Sequence, residues 1–426
     1  MAATIDATVP APFQLPPLPE TINHTPWPTQ NFLHVDPEGD VFHVLVCRTT
    51  YSLRGMQRDG DRPAHPILLP GEQQPPLVTE DLYEGEINLS SVLQESDFAP
   101  YKPLCDVLLV NAQAHSPEGR PLQRWTVGFR FGDQFSKVLQ VTGPRHYERQ
   151  RNGEAWTLTA PALATRVPMS YQLAFGGPNV VHEHAKAPVE GREPPPFYFP
   201  NPIGTGRWGS GEVKEWIERE VAQRRRGAPA VPIDELGNFS ERPAYRGPQI
   251  EMHGQAFTGE ESDYPVVGFG PISRWWQPRH RLAGTHDEHW KATQWPKSPK
   301  DHDYRYWNCA PEDQQIPYPQ GGEEIALANL TPPVKGMVGP VRFVLPEQPL
   351  SALVRMRAGP LLLMPMSIDT VVVDVGHALL SVVRRVLIPA SLDVRKLELG
   401  TWQPGDTESA AAVSIPGAQP HHPETV

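Results

Sequence analysis

The chain has 426 residues, with 51 prolines and 34 glycines, and its 38 Lys and Arg against 49 Asp and Glu leave a net charge of −11. The prolines disfavour long helices, because proline lacks a backbone N–H donor and clashes with the preceding helical turn. The negative charge disfavours nucleic acid and anionic membranes as partners, because both are bound through clustered Lys and Arg.

The N-terminal half carries the clearest strand patterns. Residues 1–20 are rich in proline and alanine and are predicted to form a flexible arm. Residues 41–53 are β-branched and apolar on both faces, which predicts a buried strand. Apolar and polar residues alternate over residues 124–131, and a Gly-Asp turn then leads into residues 135–141. This period of two predicts a hairpin with one buried face.

The C-terminal half carries one predicted helix and a second hairpin. Ser210 is a suitable N-cap and Gly227 a suitable end for a helix, which lies in a Pro-rich and helical insertion near residues 188–248. Residues 368–375 and 378–388 are apolar runs separated by a Gly-His pair. These runs predict a hairpin, with a helix as the alternative for the second run.

Together the patterns predict a mainly β fold, in which antiparallel sheets form a sandwich- or barrel-like core with long Pro/Gly-rich loops and few short helices. The core is expected to span residues 21–402, as one domain or as two β-rich lobes. Residues 403–426 show no periodic apolar pattern and are predicted to be a disordered tail.

The cysteine usage and the absence of targeting signals favour a cytoplasmic protein. Cys47, Cys105 and Cys309 form no CxxC pair, which argues against a disulfide framework and a thiolate metal site. The N-terminal sequence has no basic region followed by an apolar region, so no secretory signal is predicted. The most apolar stretch, residues 361–388, is interrupted by proline and charged residues, so we expect no membrane insertion.

No motif predicts an enzyme. Residues 204–209 match GxGxxG, but the proline-rich segment before them does not suit the central strand of a dinucleotide site. No GxSxG elbow occurs. We therefore predict no catalytic residue, no cofactor and no metal.

One segment leaves an alternative open. Residues 280–303 combine imidazoles and carboxylates, which are metal-ligand types, but none of them has the HExxH spacing. A metal-dependent hydrolase using this segment is the alternative function. The residues concerned are His280, His286, His289, His302, Asp287, Glu288, Asp301 and Asp303.

Aromatic residues are concentrated between residues 275 and 307, which contain five of the eleven tryptophans, interleaved with arginines. Trp and Arg are enriched as anchors at protein interfaces. The same composition fits Trp packed inside a β core with Arg across it, or a carbohydrate- or peptide-binding module.

Several collinear motifs together resemble the family called domain of unknown function 2169, over about residues 20–390. Ser96 and Asp97 in the first motif are suited to bond nearby backbone amides, and Asp97 is suited to pair with Lys102. The main motifs are ESDFAPYKP (95–103), MSYQLAFGG (169–177), NPIGTG (201–206), GFGPISRWWQPRHRLAGTHDEHW (268–290) and DHDYRYWNCAPEDQQ (301–315).

The resemblance implies a non-enzymatic bacterial adaptor, or chaperone, of type VI secretion. Such a protein binds a toxic effector in the cytoplasm and helps load it onto the spike, a VgrG or PAAR protein. We expect most motif residues to be structural and some to contact a partner. The predicted partner-binding residues are Glu95, Asp97, Lys102, Trp275, Trp276, Arg279, Asp287 and Trp290.

Overall fold

The computed structural model shows how the predicted strands assemble. The predicted helix from Ser210 to Gly227 lies outside the residues that the structure describes, as does most of the predicted insertion around it. The described residues are 14–56, 62–149, 156–177, 197–207, 246–259, 261, 263–333, 339–402 and 410–412.

Strands dominate this part of the chain, and its two α-helices are short. The helices are α1 (Gln277–His280) and α2 (Glu288–Thr293). The strands are β1 (Glu20–Asn23), β2 (Thr29–Val35), β3 (Val41–Ser52), β4 (Ile67–Leu68), β5 (Leu82–Tyr83), β6 (Val92–Gln94), β7 (Cys105–Val110), β8 (Gln113–His115), β9 (Arg124–Phe131), β10 (Phe135–Thr142), β11 (Tyr147–Arg149), β12 (Trp156–Leu158), β13 (Arg166–Pro168), β14 (Phe175–Gly176), β15 (Thr205–Gly206), β16 (Ile250–Met252), β17 (Gln315–Ile316), β18 (Glu324–Ala328), β19 (Val341–Val344), β20 (Ser351–Met356), β21 (Leu361–Pro365), β22 (Ser367–Asp374), β23 (Leu379–Pro389), β24 (Val394–Gly400) and β25 (Ala410–Ala412).

Three sheets form the body of the protein. The central sheet has seven strands in the order β17-β7-β22-β23-β3-β2, with β4 also paired to β3. The first flanking sheet has the order β16-β10-β9-β18-β19, and the second has the order β1-β24-β20-β21-β25. Each described sheet stays open at its edges, so the fold is mainly β and sandwich-like, as predicted, and not barrel-like.

One face of the central sheet packs against both flanking sheets. Val107 and Val371 of the central sheet share a buried apolar cluster with Phe129 and Phe343 of the first flanking sheet. Further along the long strands β3 and β23, a second cluster joins this face to the second flanking sheet. The β-branched residues of β3 and β23 suit this position, because both faces of these strands are buried.

The opposite face of the central sheet is covered by loops. Phe42 and Val44 contact Tyr101 and Tyr304, and Val372 packs near Cys309. We call this the outer face. Residues from the motifs at 95–103 and 301–315 cover this face. These motifs therefore form loops that pack against the central sheet.

Both predicted hairpins are confirmed. Strands β9 and β10 are antiparallel neighbours, as are β22 and β23, so residues 379–389 form a strand and not the alternative helix. Cys47, Cys105 and Cys309 are free and buried. No helix in the described residues has the length and apolar character needed to cross a membrane.

Partial burial of histidines on the outer face predicts sensitivity to acid. Burial and, secondarily, the nearby His302 lower the pKa of His34 to about 4, and its ring lies 2.9 Å from the Tyr304 hydroxyl. The unfolded chain has a histidine pKa of about 6.5, so between pH 6.5 and 4 it binds more protons than the folded protein. The free energy of unfolding therefore falls as the pH falls through this window.

Lowering the pH from 7 to 5 should decrease the free energy of unfolding, measured in urea, in both proteins. We expect this decrease to be about 1–2 kcal/mol larger in the wild type than in the His34→Gln variant. His253→Gln, at an exposed position, is the control and should follow the wild type. Equal pH dependence in His34→Gln and the wild type would contradict this explanation.

Candidate functional site

The loop that follows β6 is fastened to an extended segment that crosses the outer face. We call residues 74–81 the strap. The N–H of Asp97 donates to the Val78 carbonyl at 2.8 Å, and the Asp97 carboxylate accepts from the Val78 N–H at 2.8 Å. Ser96 Oγ accepts from the Phe98 N–H at 3.2 Å. The predicted bonding of Ser96 and Asp97 to backbone amides is thus confirmed.

The strap is anchored at both ends as well. The Gln74 side chain accepts from the Thr50 N–H at 2.8 Å and donates to the Thr50 carbonyl at 3.0 Å, which fixes the strap to β3. At the other end Asp81 accepts from the Ser96 N–H at 3.0 Å and from Arg274 at 2.7 Å. The strap is therefore held at three points along its length.

Beneath the strap lies a set of buried ion pairs that we call the charge network. Four of its members are carboxylates and four are cations, so the network is neutral when all are ionised. This balance matters because an unpaired buried charge costs several kcal/mol. The members are Glu95, Asp97, Asp106, Asp369, Arg48, Lys102, Arg279 and Arg385, all of them buried.

Asp97 pairs with Arg48 and not with Lys102, so the predicted Asp97–Lys102 pair is wrong. Arg48 Nη1 lies 3.0 Å from Asp97 Oδ2, and both side chains are 5 % exposed. Arg385 also donates to the Asp97 backbone carbonyl at 2.7 Å. The loop is thereby tied to two central strands, β3 and β23.

Lys102 binds Asp106 instead. Its Nζ lies 2.7 Å from Asp106 Oδ2 and 3.0 Å from Thr370 Oγ1. Burial opposes the Lys102 charge, but Asp106 and Glu95 outweigh it and raise the Lys102 pKa. Burial likewise opposes the Asp106 charge, yet Lys102 and the backbone N–H groups of Cys309 and Ala310 lower the Asp106 pKa. Both groups therefore remain ionised at neutral pH.

A bulge in β22 brings the Asp369 carboxylate into the charge network. The register with β23 shifts between Ile368 and Thr370, which leaves Asp369 as the extra residue. As a result two consecutive side chains reach the outer face, where Thr370 contacts Lys102 and Asp369 binds Arg385. Burial raises the pKa of Asp369 despite the Arg385 charge.

Glu95 connects the motif at 95–103 to the motif at 268–290. Its Oε1 accepts from Arg279 at 2.6 Å and from Arg274 at 3.3 Å. Arg279 also donates to the backbone carbonyls of Ile272 and Tyr306, so it fixes two further loops. Glu95, Asp97, Lys102 and Arg279 are therefore internal in this structure, and their predicted contact with a partner stays a prediction.

The remaining predicted residues have different surroundings. Trp276 is 2 % exposed and packs edge-on against Tyr171, whereas Trp275 is 57 % exposed. Asp287 caps α2 by accepting from the Trp290 N–H at 2.7 Å, and Trp290 packs edge-on against His286 and Trp295. Of the eight predicted residues, Trp275 and Asp287 are the exposed ones.

An open cleft of about 460 Å³ lies between the strap and the outer face. Its floor includes Val372 paired with Ser381, and Asp374 paired with Leu379, across β22 and β23. Arg48 of the charge network also reaches this cleft. A pocket of this volume is within the range that holds ligands.

One exposed apolar side chain lines the cleft, and others are close to it in sequence. Leu82 lines the cleft and is 50 % exposed, while Ile87 and Leu89, on the β5–β6 hairpin, are 67 % and 65 % exposed. Ile67 and Leu68 of β4 are exposed as well. Leu82 therefore gives the cleft an accessible apolar contact point.

The strap and half of the charge network, namely Arg48, Asp106, Asp369 and Arg385, were not predicted from the sequence. A signal was present for the network, because Arg48, Asp106 and Arg385 each interrupt an apolar strand sequence, and a charge in such a place is usually paired. In the GxGxxG segment, Thr205 and Gly206 form β15 beside β14, and Gly206 has a φ of +95°.

The segment 280–303 shows no metal-binding arrangement. Within the described ranges, which include all eight of its His, Asp and Glu residues, no three such side chains come together to hold an ion. Asp301 binds Thr285, and His302 bonds to the Ala283 carbonyl at 3.0 Å. No observation therefore favours the metal-dependent hydrolase.

The charge network predicts a large effect of a small substitution. Asp106→Asn keeps the side-chain shape but leaves Lys102 without its closest carboxylate, so we expect a loss of about 3–5 kcal/mol in the free energy of unfolding, measured in urea. Asp393→Asn removes an exposed partner of Arg357 and should cost less than about 1 kcal/mol. Similar losses in the two variants would contradict the assigned role of Asp106.

The family of the chain follows from comparison with known proteins. Residues 38–385 match the model of the family DUF2169, described as an uncharacterized protein conserved in bacteria. No curated protein and no solved structure matches the chain. The matched range includes the whole charge network, the strap and the cleft. The chain therefore belongs to the DUF2169 family.

Proposed function

We propose that the protein is a bacterial type VI secretion adaptor, or chaperone. It binds a cognate effector in the cytoplasm and helps load it onto the VgrG or PAAR spike. The observation that carries the proposal is the open cleft beneath the strap, which the half-exposed Leu82 lines. Family membership, together with the motif resemblance described above, supports the same assignment.

The cleft suits a protein partner better than a reacting small molecule. Its lining consists largely of strap backbone and prolines with aliphatic side chains, and its charged members are Arg48, Glu80 and Asp374. Arg48 is already paired with Asp97. Interfaces between proteins commonly have such an apolar centre with a polar rim.

The charge network gives the cleft a rigid base. It fixes the loop at residues 95–97, and this loop holds Val78 in the middle of the strap. A surface that is ordered before binding loses little conformational entropy when the partner arrives. An adaptor built in this way recognises its partner without first having to fold a binding segment.

Binding alone is sufficient for the proposed activity. An adaptor that binds only the export-competent conformation of its effector stabilises that conformation by mass action, by about 2.7 kcal/mol when its free concentration is 100 times Kd. No cofactor or bond-forming step is required. The net charge of −11 favours encounter with a basic segment of effector or spike.

The first test is affinity purification of the tagged full chain from its own bacterium, with mass spectrometry of the proteins that come down. We expect a toxin-like protein and a VgrG or PAAR protein in near-stoichiometric amounts. Recovery of the adaptor without either protein would contradict the proposal.

A matched pair of leucine variants locates the surface. Leu82→Asp places a charge in the lining of the cleft, whereas Leu163→Asp places one at a position that does not line it, and the two leucines are 50 % and 65 % exposed. We expect Leu82→Asp to lower effector recovery at least five-fold and Leu163→Asp to leave it unchanged. Equal recovery with the two variants would place the binding surface elsewhere.

A further inference from the structure

We propose that the cleft binds an extended peptide segment that carries apolar side chains and a Lys or Arg, and that this segment pairs with the backbone of the strap. The inference rests on the proposed adaptor function, since the segment would belong to the effector. It names the chemistry that the cleft recognises.

The backbone of the strap has one occupied edge and one open edge. Val78 uses both its N–H and its carbonyl to bind Asp97. Neither backbone group of Leu77 bonds to any described residue. The Thr79 carbonyl, in contrast, accepts from Ser96 Oγ at 2.9 Å, so the open edge does not extend to Thr79. Consecutive residues of an extended chain turn their backbone groups to opposite sides. The open edge of the strap is therefore at Leu77, on the side away from Asp97.

The sequence keeps the strap extended. Pro75 and Pro76 fix their own φ near −65° and bias the preceding residue towards extended conformations. Pro75 and Pro76 also lack an N–H, so the free donor of this edge is that of Leu77. An extended edge with free donors and acceptors is what peptides use when they add a strand to a protein.

The charges of the cleft select a basic segment. Glu80 lines the cleft, is exposed and forms no ion pair with a described residue. Asp374 lines it too and bonds to Asn111 and His377. The cation in the lining, Arg48, is neutralised by Asp97. The lining therefore has an excess of negative charge, which favours Lys or Arg over Asp or Glu in the bound segment.

The floor of the cleft selects apolar side chains beside the basic one. Val372 and Leu379 lie on the outer face of β22 and β23. Leu82, which follows the strap in sequence, also lines the cleft. In an extended segment alternate side chains point to opposite sides. A segment lying along the strap would therefore direct one set of apolar side chains onto this floor.

The test uses a phage-displayed library of random dodecapeptides, selected on the full chain. We expect the enriched sequences to combine Lys or Arg with Val, Ile or Leu in alternating positions. Enrichment of acidic sequences, or no enrichment, would overturn the proposal.

Two pairs of variants then test the mode of binding, with synthetic versions of the selected peptides and fluorescence anisotropy. Leu77→Pro removes the free N–H donor, whereas Leu77→Ala removes only the side chain beyond Cβ. Glu80→Lys reverses the charge in the cleft, whereas Glu72→Lys makes the same change at an exposed position that does not line it. We expect Leu77→Pro to weaken binding at least three-fold more than Leu77→Ala does, and Glu80→Lys to weaken it at least ten-fold, against less than three-fold for Glu72→Lys.

Equal affinities within either pair would overturn the corresponding part of the proposal, and far-UV spectra of all four variants show whether the fold is retained. Peptide binding without recovery of an effector from the bacterium would contradict the adaptor function alone. Recovery of an effector that is unaffected by Leu77→Pro and Glu80→Lys would contradict the peptide mode alone.

Discussion

The pairing of buried charges on the outer face of the central sheet is the constraint on which the candidate site depends. Each carboxylate removed from water must find a cation or several N–H donors, since the desolvation cost is otherwise several kcal/mol. Asp106 satisfies this requirement with Lys102 and the backbone of Cys309 and Ala310. Loops that are distant in sequence are thereby fixed in one arrangement, and the strap takes its position from them.

Such a network specifies geometry more than it adds stability. Apolar side chains of similar volume often stabilise a protein as well as a buried ion pair does, because they avoid the desolvation cost. An apolar core tolerates many packings, whereas ion pairs and bidentate hydrogen bonds require particular partners. On the outer face this requirement fixes the loop at Asp97 through Arg48, and Asp97 in turn fixes Val78 of the strap.

The sequence predicted the parts of the fold that depend on local periodicity. The alternation around Phe129 and the apolar runs around Gly376 identified two hairpins, because side-chain direction in a strand repeats every two residues. The Asp97–Lys102 pair was wrong because the partner of Asp97 is Arg48, 49 residues away, and sheet topology decides which charges meet. The cleft was missed for the same reason: its walls come from a loop and two strands separated by almost 300 residues.

The short open edge of the strap limits the strength of the contact that it can make. A typical hydrogen bond contributes about 0.5–1.5 kcal/mol net, because water satisfies the same groups before binding. The free backbone groups of Leu77, with a few apolar contacts, therefore support moderate affinity for the proposed peptide. Affinity differences among related complexes lie mainly in the dissociation rate. A rigid base with a short open edge is thus suited to a contact that is defined in geometry and readily reversible.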